Sequence, residues 1–292
     1  KLSYTILFFG ILVACLGLVA IYDASIVDAY KTFGDKFHYV KQQSTWLVIG
    51  IVASLITAKI PLQFLKKIST YALLFSLFLM VVVLIPGIGS KFLGARRWII
   101  FGPVVIQPSE ILKIALILYL SNWLEKTREI AKFLALIGFC LLLIMLQPDL
   151  GTAIITVGSS FLIYYLSGAP IKHVLYFSVT LLISVAILVI LSPYRMDRIK
   201  TFLDPTSDPL GRSYHINQIL YGIGSGGFGG VGLGRSRQKY AFLPEATTDS
   251  IFVIIAEEFG FVGATTIIGF LVYLLLSSFK VAILAKDKFG KL

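Results

Sequence analysis

Eight apolar runs, at about 5–22, 45–60, 68–86, 98–124, 133–148, 150–167, 173–192 and 251–279, limit what this chain can fold into. Each is long enough, or nearly so, to cross a bilayer. A segment in lipid must satisfy its own backbone hydrogen bonds, so each run is expected to be a helix. The expected fold is therefore all-α: a polytopic membrane helical bundle of about eight transmembrane helices, with residues 1–292 as one membrane domain. Composition agrees, because 57% hydrophobic and only 14% charged residues rule out an ordinary water-soluble domain. The first run starts almost at residue 1 and lacks a small-residue cleavage site, which reads as a retained helix rather than a signal peptide.

Chemistry is narrowed by what is missing from the polar residues. Cys15 and Cys140 both lie in apolar runs, and His38, His173 and His215 are scattered, so neither a disulfide framework nor a Cys/His metal centre is supported. A net charge of +11 would point to nucleic acid in a soluble protein, but in a membrane protein basic residues are first of all topology signals. No nucleic-acid partner is expected. The short basic turn from Lys59 to Lys67 around Pro61 is the best local sign of a cytoplasmic face. With the N-terminus on that side, seven of the eight arginines fall on the opposite face: Arg96, Arg97, Arg195, Arg198, Arg212, Arg235 and Arg237. The planar guanidinium suits bidentate phosphate contacts, whereas lysine is an adequate anchor, so this outer face points to a phosphate-bearing ligand.

Between the seventh and eighth runs lies a large loop, about 193–250, expected to be extracytoplasmic; it continues as a polar stretch to Glu258. Loops of that length are commonly functional. Cations lead, among them Arg195, Arg198 and Lys239, and the carboxylates Glu245, Asp249, Glu257 and Glu258 follow. Between them come eight glycines from Gly222 to Gly234. Gly222, Gly224 and Gly227 match G-x-G-x-x-G, and 229–236 approximates a phosphate loop with Arg235 where lysine belongs, but no strand precedes either. The plainer reading is backbone kept bare so that it can pack closely.

Three earlier features carry charge into or beside apolar runs. In the Gly-, Pro- and Arg-rich stretch after the third run, expected to be re-entrant or interfacial, Arg96, Arg97 and Trp98 sit as GARRW, either as headgroup anchors or as ligand contacts. Glu110 and Lys113 are three apart on one helical face, and a lone charge at that depth costs about 2.5–3.5 kcal/mol, so an ion pair is expected, whether structural or substrate-facing. Asp149, in LQPDLGT, is either a ligand carboxylate or a helix cap.

Taken in order, GARRW (94–98), QPSEILK (107–113), QPDLGT (147–152), YRMDRIKTFLDPTSDPLG (194–211), IGSGGFGGVGLGRSRQKYAFLPEATTD (223–249) and AEEFG (256–260) resemble the SEDS family of bacterial membrane glycosyltransferases, the shape, elongation, division and sporulation proteins. GLGRSRQK followed by FLPE is nearer to the division branch than to the elongation branch. The family pattern has ten spans and the last two are not found before Leu292, so a shortened member is expected. Other departures are Ser250 where an aromatic is usual, Thr247 where histidine is common, and Ser213-Tyr214-His215 where Gly-Tyr-Gln is usual.

The resemblance implies an inverting glycosyltransferase of the bacterial cytoplasmic (inner) membrane that polymerises lipid II on the outer face. Asp249 occupies the family's catalytic position, as the general base. Arg96, Arg97, Trp98, Glu110, Lys113, Asp149, Arg195, Arg198, Lys239 and Glu245 are the candidate substrate-binding residues, the arginines offsetting charge on a pyrophosphate leaving group. If 245–249 is helical, Glu245 and Asp249 share a face; apart from the resemblance, Asp249 just before an apolar run reads first as a helix N-cap. No cofactor is assigned from the sequence, and a divalent cation is left open. Implied partners are lipid II, polyprenyl-pyrophosphate-linked glycan, a class B penicillin-binding transpeptidase, and proteins of a division or elongation complex. Two other functions stay open: a flippase for the lipid-linked precursor, and a non-catalytic division scaffold.

Overall fold

The computed structural model describes residues 2–292 except 93, 94, 103, 191, 205, 207, 209, 210, 212 and 241; for residues 2, 3, 92, 181, 184, 185, 187, 188 and 193–195 it describes backbone only. The elements are α1 (Leu2–Phe33), α2 (His38–Thr57), α3 (Leu62–Val82), β1 (Gly89–Phe92), β2 (Ala95–Phe101), β3 (Val104–Ile106), α4 (Pro108–Lys126), α5 (Ile130–Met145), α6 (Leu150–Leu166), α7 (Ile171–Ile190), α8 (Pro193–Leu203), α9 (Tyr214–Gly226), α10 (Ile251–Leu284) and α11 (Lys288–Lys291). Segments Tyr4–Phe33, Leu62–Val82 and Ile251–Leu284 are long and apolar enough to cross a membrane; α5 and α6 are apolar but shorter. Large apolar side chains such as Tyr4, Phe8, Leu74, Phe78 and Leu275 face outward, an arrangement that lipid accommodates and water does not.

The expectation of an all-helical chain needs one correction. The fourth apolar run begins as strand: β1, β2 and β3 form an antiparallel sheet in that order, with Gly89 opposite Ile99 and Phe101 opposite Val104. The local reason is composition, since Trp98-Ile99-Ile100-Phe101 and Val104-Val105-Ile106 are aromatic and β-branched, and Gly102 adopts φ 57° at the turn between them. Helix resumes with Pro108 in the first turn of α4, where a missing N–H is harmless.

The chain divides into two compact units. One comprises 59–183 and 282–292. Its core is a ladder of Leu112, Leu116, Leu120 and Leu124 along one face of α4, packed with Leu73 and Met80 of α3, Phe133 and Ile137 of α5, and Val157 and Phe161 of α6. At one end Lys66 bridges Glu125 (3.0 Å) and Asp287 (3.1 Å), which ties α11 to this unit.

The other unit comprises 1–58 and 184–281 and is organised around a break in α10. Gly260 leaves helical geometry (φ 65°, ψ −165°). Such a break frees carbonyls before it and amides after it, and lipid can satisfy neither. The glycine run does so instead. Amides of Val231 and Gly232 donate to the carbonyls of Glu257 and Glu258 (both 3.0 Å), while the amides of Phe261 and Val262 donate to Gly227 and Phe228 carbonyls (2.9 and 3.2 Å).

That exchange explains the bare backbone. A Cβ on Gly226 would lie 2.1 Å from the Ala256 carbonyl oxygen, and one on Gly230, whose φ is 82°, would lie 2.1 Å from that of Glu258. Gly230→Ala is therefore expected to lower stability by more than about 1 kcal/mol, because both conformation and space oppose it. Gly224→Ala, in α9 with nothing within 4 Å, is the control and should be neutral or slightly stabilising. Thermal unfolding in detergent compares them, and equal melting would contradict the close-packing account.

Candidate active site

The carboxylate-bearing end of the loop, 242–250, is a succession of turns, and α10 starts only at Ile251. This corrects the helical spacing envisaged for Glu245 and Asp249. Glu245 adopts φ 52°, in the left-handed region, and its carbonyl accepts from the amides of Thr248 (3.2 Å) and Ser250 (3.0 Å). The Glu245 carboxylate is occupied, accepting from the Thr248 hydroxyl at 2.8 Å. Asp249 is different: it is exposed, and among the described residues its side chain has no hydrogen-bond or ion-pair partner. It caps no helix there, so the carboxylate is open to accept a proton.

Lys239, proposed from sequence to bind substrate, is instead buried, with 3% of its side chain exposed. Its Nζ donates to Asp23 Oδ1 (2.8 Å) and to Glu258 Oε1 (3.1 Å). Glu258 also accepts from the amides of Gly234 (2.9 Å) and Ser236 (3.0 Å). Neighbouring Glu257 accepts from the hydroxyls of Ser236 and Ser225 and the amides of Arg237 and Gln238. Two acidic side chains at the break thus become the posts around which 225–239 is wrapped. Asp23 and Glu258 also border a cavity of about 390 Å³, whose remaining walls include Val13, Leu16, Ile254, Ile267 and Phe270. Low polarity on that side makes an unpaired carboxylate costly.

In the other unit Arg96 and Arg97 project from β2. Arg96 donates to the Leu84 carbonyl (3.3 Å), just beyond α3, and Arg97 to the carbonyls of Gln147 (2.9 Å) and Pro148 (2.6 Å), just beyond α5. Each guanidinium therefore sits near a helix C-terminus, where positive charge is favoured, and neither has a carboxylate partner among the described residues. Trp98 is half-buried in β2, opposite Ser90. Glu110 and Lys113 form the expected ion pair, at 2.8 Å. Of the two readings open for Asp149, the cap is realised: its carboxylate accepts from Thr152 N (3.0 Å) and the Thr152 hydroxyl (2.9 Å) at the start of α6.

This separates two roles experimentally. Asp149→Ala should cost about 1 kcal/mol and Asp149→Ser much less, since serine also caps. Activity losses that follow stability across the two would assign Asp149 to the fold, whereas equal losses at equal stability would return it to the ligand.

Arg198 is exposed on α8, and the Arg195 side chain lies outside the described residues. Among the described residues no three His, Cys, Asp or Glu side chains converge as a metal-binding group. Sequence reasoning gave no role to Asp23, Glu257 or Glu258. The usable signal was an acidic pair inside an apolar run, which demands partners.

Comparison with known proteins places this architecture. Residues 3–292 match the FtsW/RodA/SpoVE model, described as cell cycle protein. The chain is 38% identical to stage V sporulation protein E of Bacillus subtilis over 288 residues, 96% of this chain and 79% of that one. It is also 38% identical to the probable peptidoglycan glycosyltransferase FtsW of Trichlorobacter lovleyi over 283 residues, 94% of this chain and 74% of the other. Among solved structures it resembles a chain from work on the structural coordination of polymerization and crosslinking by a peptidoglycan synthase complex, with TM-score 0.77, 26% identity, and coverage of 99% of this chain and 80% of that one. The fold is shared with the rod shape determining protein RodA of Thermus thermophilus, at TM-score 0.67 and 23% identity over 98% of this chain and 78% of the other. With the glycine-wrapped helix break, the arginine-bearing sheet and a family match over nearly its whole length, the chain belongs to the FtsW/RodA/SpoVE family of membrane proteins.

Proposed function

We propose that this protein is a peptidoglycan glycosyltransferase that polymerises lipid II into glycan strands on the outer face of the cytoplasmic membrane, in division or shape maintenance. The observation that carries the reading is that Asp249, the residue that the family resemblance assigns as the base, is exposed and without a partner among the described residues. Its carboxylate takes the proton from the acceptor hydroxyl as that oxygen attacks the anomeric carbon of the donor. A β-linkage formed from an α-linked donor requires inversion, hence a single displacement and no covalent enzyme intermediate. The leaving group is a polyprenyl pyrophosphate, and arginine is the side chain suited to it; Arg96, Arg97, Arg195 and Arg198 are proposed for that role. Eight spans, the outward loop at 193–250 and residues 1–292 as one functional domain belong to the same proposal, as does a class B penicillin-binding transpeptidase partner, since polymerised strands must be crosslinked.

A transport reading draws less support. Glu110 and Lys113 offset one another, and Asp149 is used by α6, so these charges are not left for a translocation path. Purified protein mixed with lipid II in detergent tests the choice, because without a bilayer there is nothing to transport across. Glycan product is expected. Absence of product together with passage of lipid II between the leaflets of vesicles would replace the polymerase with a transporter.

A further inference from the structure

Tyr214 and His215, consecutive residues in the first turn of α9, reach the two ends of the turn-rich segment that carries Asp249. The Tyr214 hydroxyl donates to the Phe242 carbonyl at 2.7 Å. His215 Nε2 and the Ser250 hydroxyl lie 2.9 Å apart. We propose that these two contacts are a clamp that sets the position of Asp249, with His215 as a positioning residue for the glycosyl transfer; the inference rests on the assignment of Asp249 as base.

The geometry around the clamp explains why it would matter. Within 242–250 the Glu245 carbonyl accepts from the amides of Thr248 and Ser250, and the Leu243 amide donates to the Gln238 carbonyl at 3.3 Å. These bonds shape the turn and hold its Leu243 end, while the Asp249 end is joined to α9 through Ser250. Ser250 is the residue after Asp249, is 3% exposed, and its carbonyl starts α10 by accepting from the Val253 amide at 2.9 Å. The imidazole is the partner of its hydroxyl. The reference frame for the clamp is firm, because a Cβ on Gly222 would lie 2.5 Å from Val253 Cγ1 and one on Gly226 2.1 Å from the Ala256 carbonyl oxygen, so α9 lies hard against the first half of α10.

The test measures lipid II polymerisation by the purified full chain at varied substrate concentration, for His215→Ala, Ser250→Ala, the double variant, His215→Gln and Asp249→Asn, with thermal unfolding of each. A displacement near 1 Å costs on the order of 10²-fold in rate, so His215→Ala is expected to lower kcat by about 10- to 100-fold with KM within about twofold. The double variant should be no worse than His215→Ala, since both remove one contact, and glutamine should restore most of kcat because it too can bond the hydroxyl. Ser250→Ala reads the same contact should His215→Ala not fold. Additive losses, an unchanged kcat, or losses that only follow melting would overturn the clamp. If Asp249→Asn polymerises like the parent, it is the base assignment that fails; if Asp249→Asn is inactive and His215→Ala normal, only the clamp does.

Discussion

Replacing Lys239 by methionine is expected to cost about 3–5 kcal/mol, the range for removing one partner from a buried ion pair. The size follows from what stays behind. Asp23 and Glu258 would keep their charges beside an apolar cavity with no cation between them, and Asp23 Oδ2 already lacks a partner among the described residues. Asp23→Asn should be much milder, because Lys239 and Glu258 still offset one another. Burial opposes the charge on Lys239, yet its contacts with Asp23 and Glu258 hold its pKa above the ordinary lysine value. For a raised basic group the stabilisation is complete below the unfolded value and is lost as pH climbs through the folded one. The Lys239 contribution should accordingly be constant through neutral pH and disappear only in strong alkali. Unfolding midpoints of the two variants in detergent check this; if they coincide, pairing is not what holds the loop to the helix break.

Helix positions were legible because lipid leaves a chain few options. Runs of apolar residues at 5–22, 133–148, 150–167 and 251–279 all appear as helix, although only three segments of the described chain combine the length and apolarity to cross a membrane. The run at 98–124 misled because hydropathy does not distinguish a β-branched strand from the helix that follows it; Gly102 and Pro108 marked the change. Glu110 and Lys113 were readable as a pair since their spacing is helical and local. Lys239 was not, because its partners lie 216 and 19 residues away and only tertiary packing brings Asp23 to the loop. The eight glycines announced close packing, but what they pack against, the freed backbone groups at Gly260, is a property of the fold.

Asp249→Asn is expected to lower polymerisation by about 10²–10⁴-fold, the range for losing a general base. Asparagine is nearly isosteric and also caps helices, so a structural role for Asp249 would survive the change. Melting and lipid II binding should therefore stay close to the parent while the rate collapses. Glu245→Gln should do far less, because that carboxylate already accepts from Thr248 and sits on a left-handed residue that shapes the turn. A larger effect at Glu245 than at Asp249 would exchange their roles.

An exposed carboxylate, Asp249, without a partner among the described residues and carried on a clamped loop, is proposed to perform the proton transfer. Gel-resolved glycan length after incubation of purified parent and Asp249→Asn proteins with lipid II tests it most directly. A ladder of polymerised strands from the parent and unreacted lipid II from Asp249→Asn, at equal melting temperature and equal binding, is the predicted result. Ladders of equal intensity from the two proteins would contradict it.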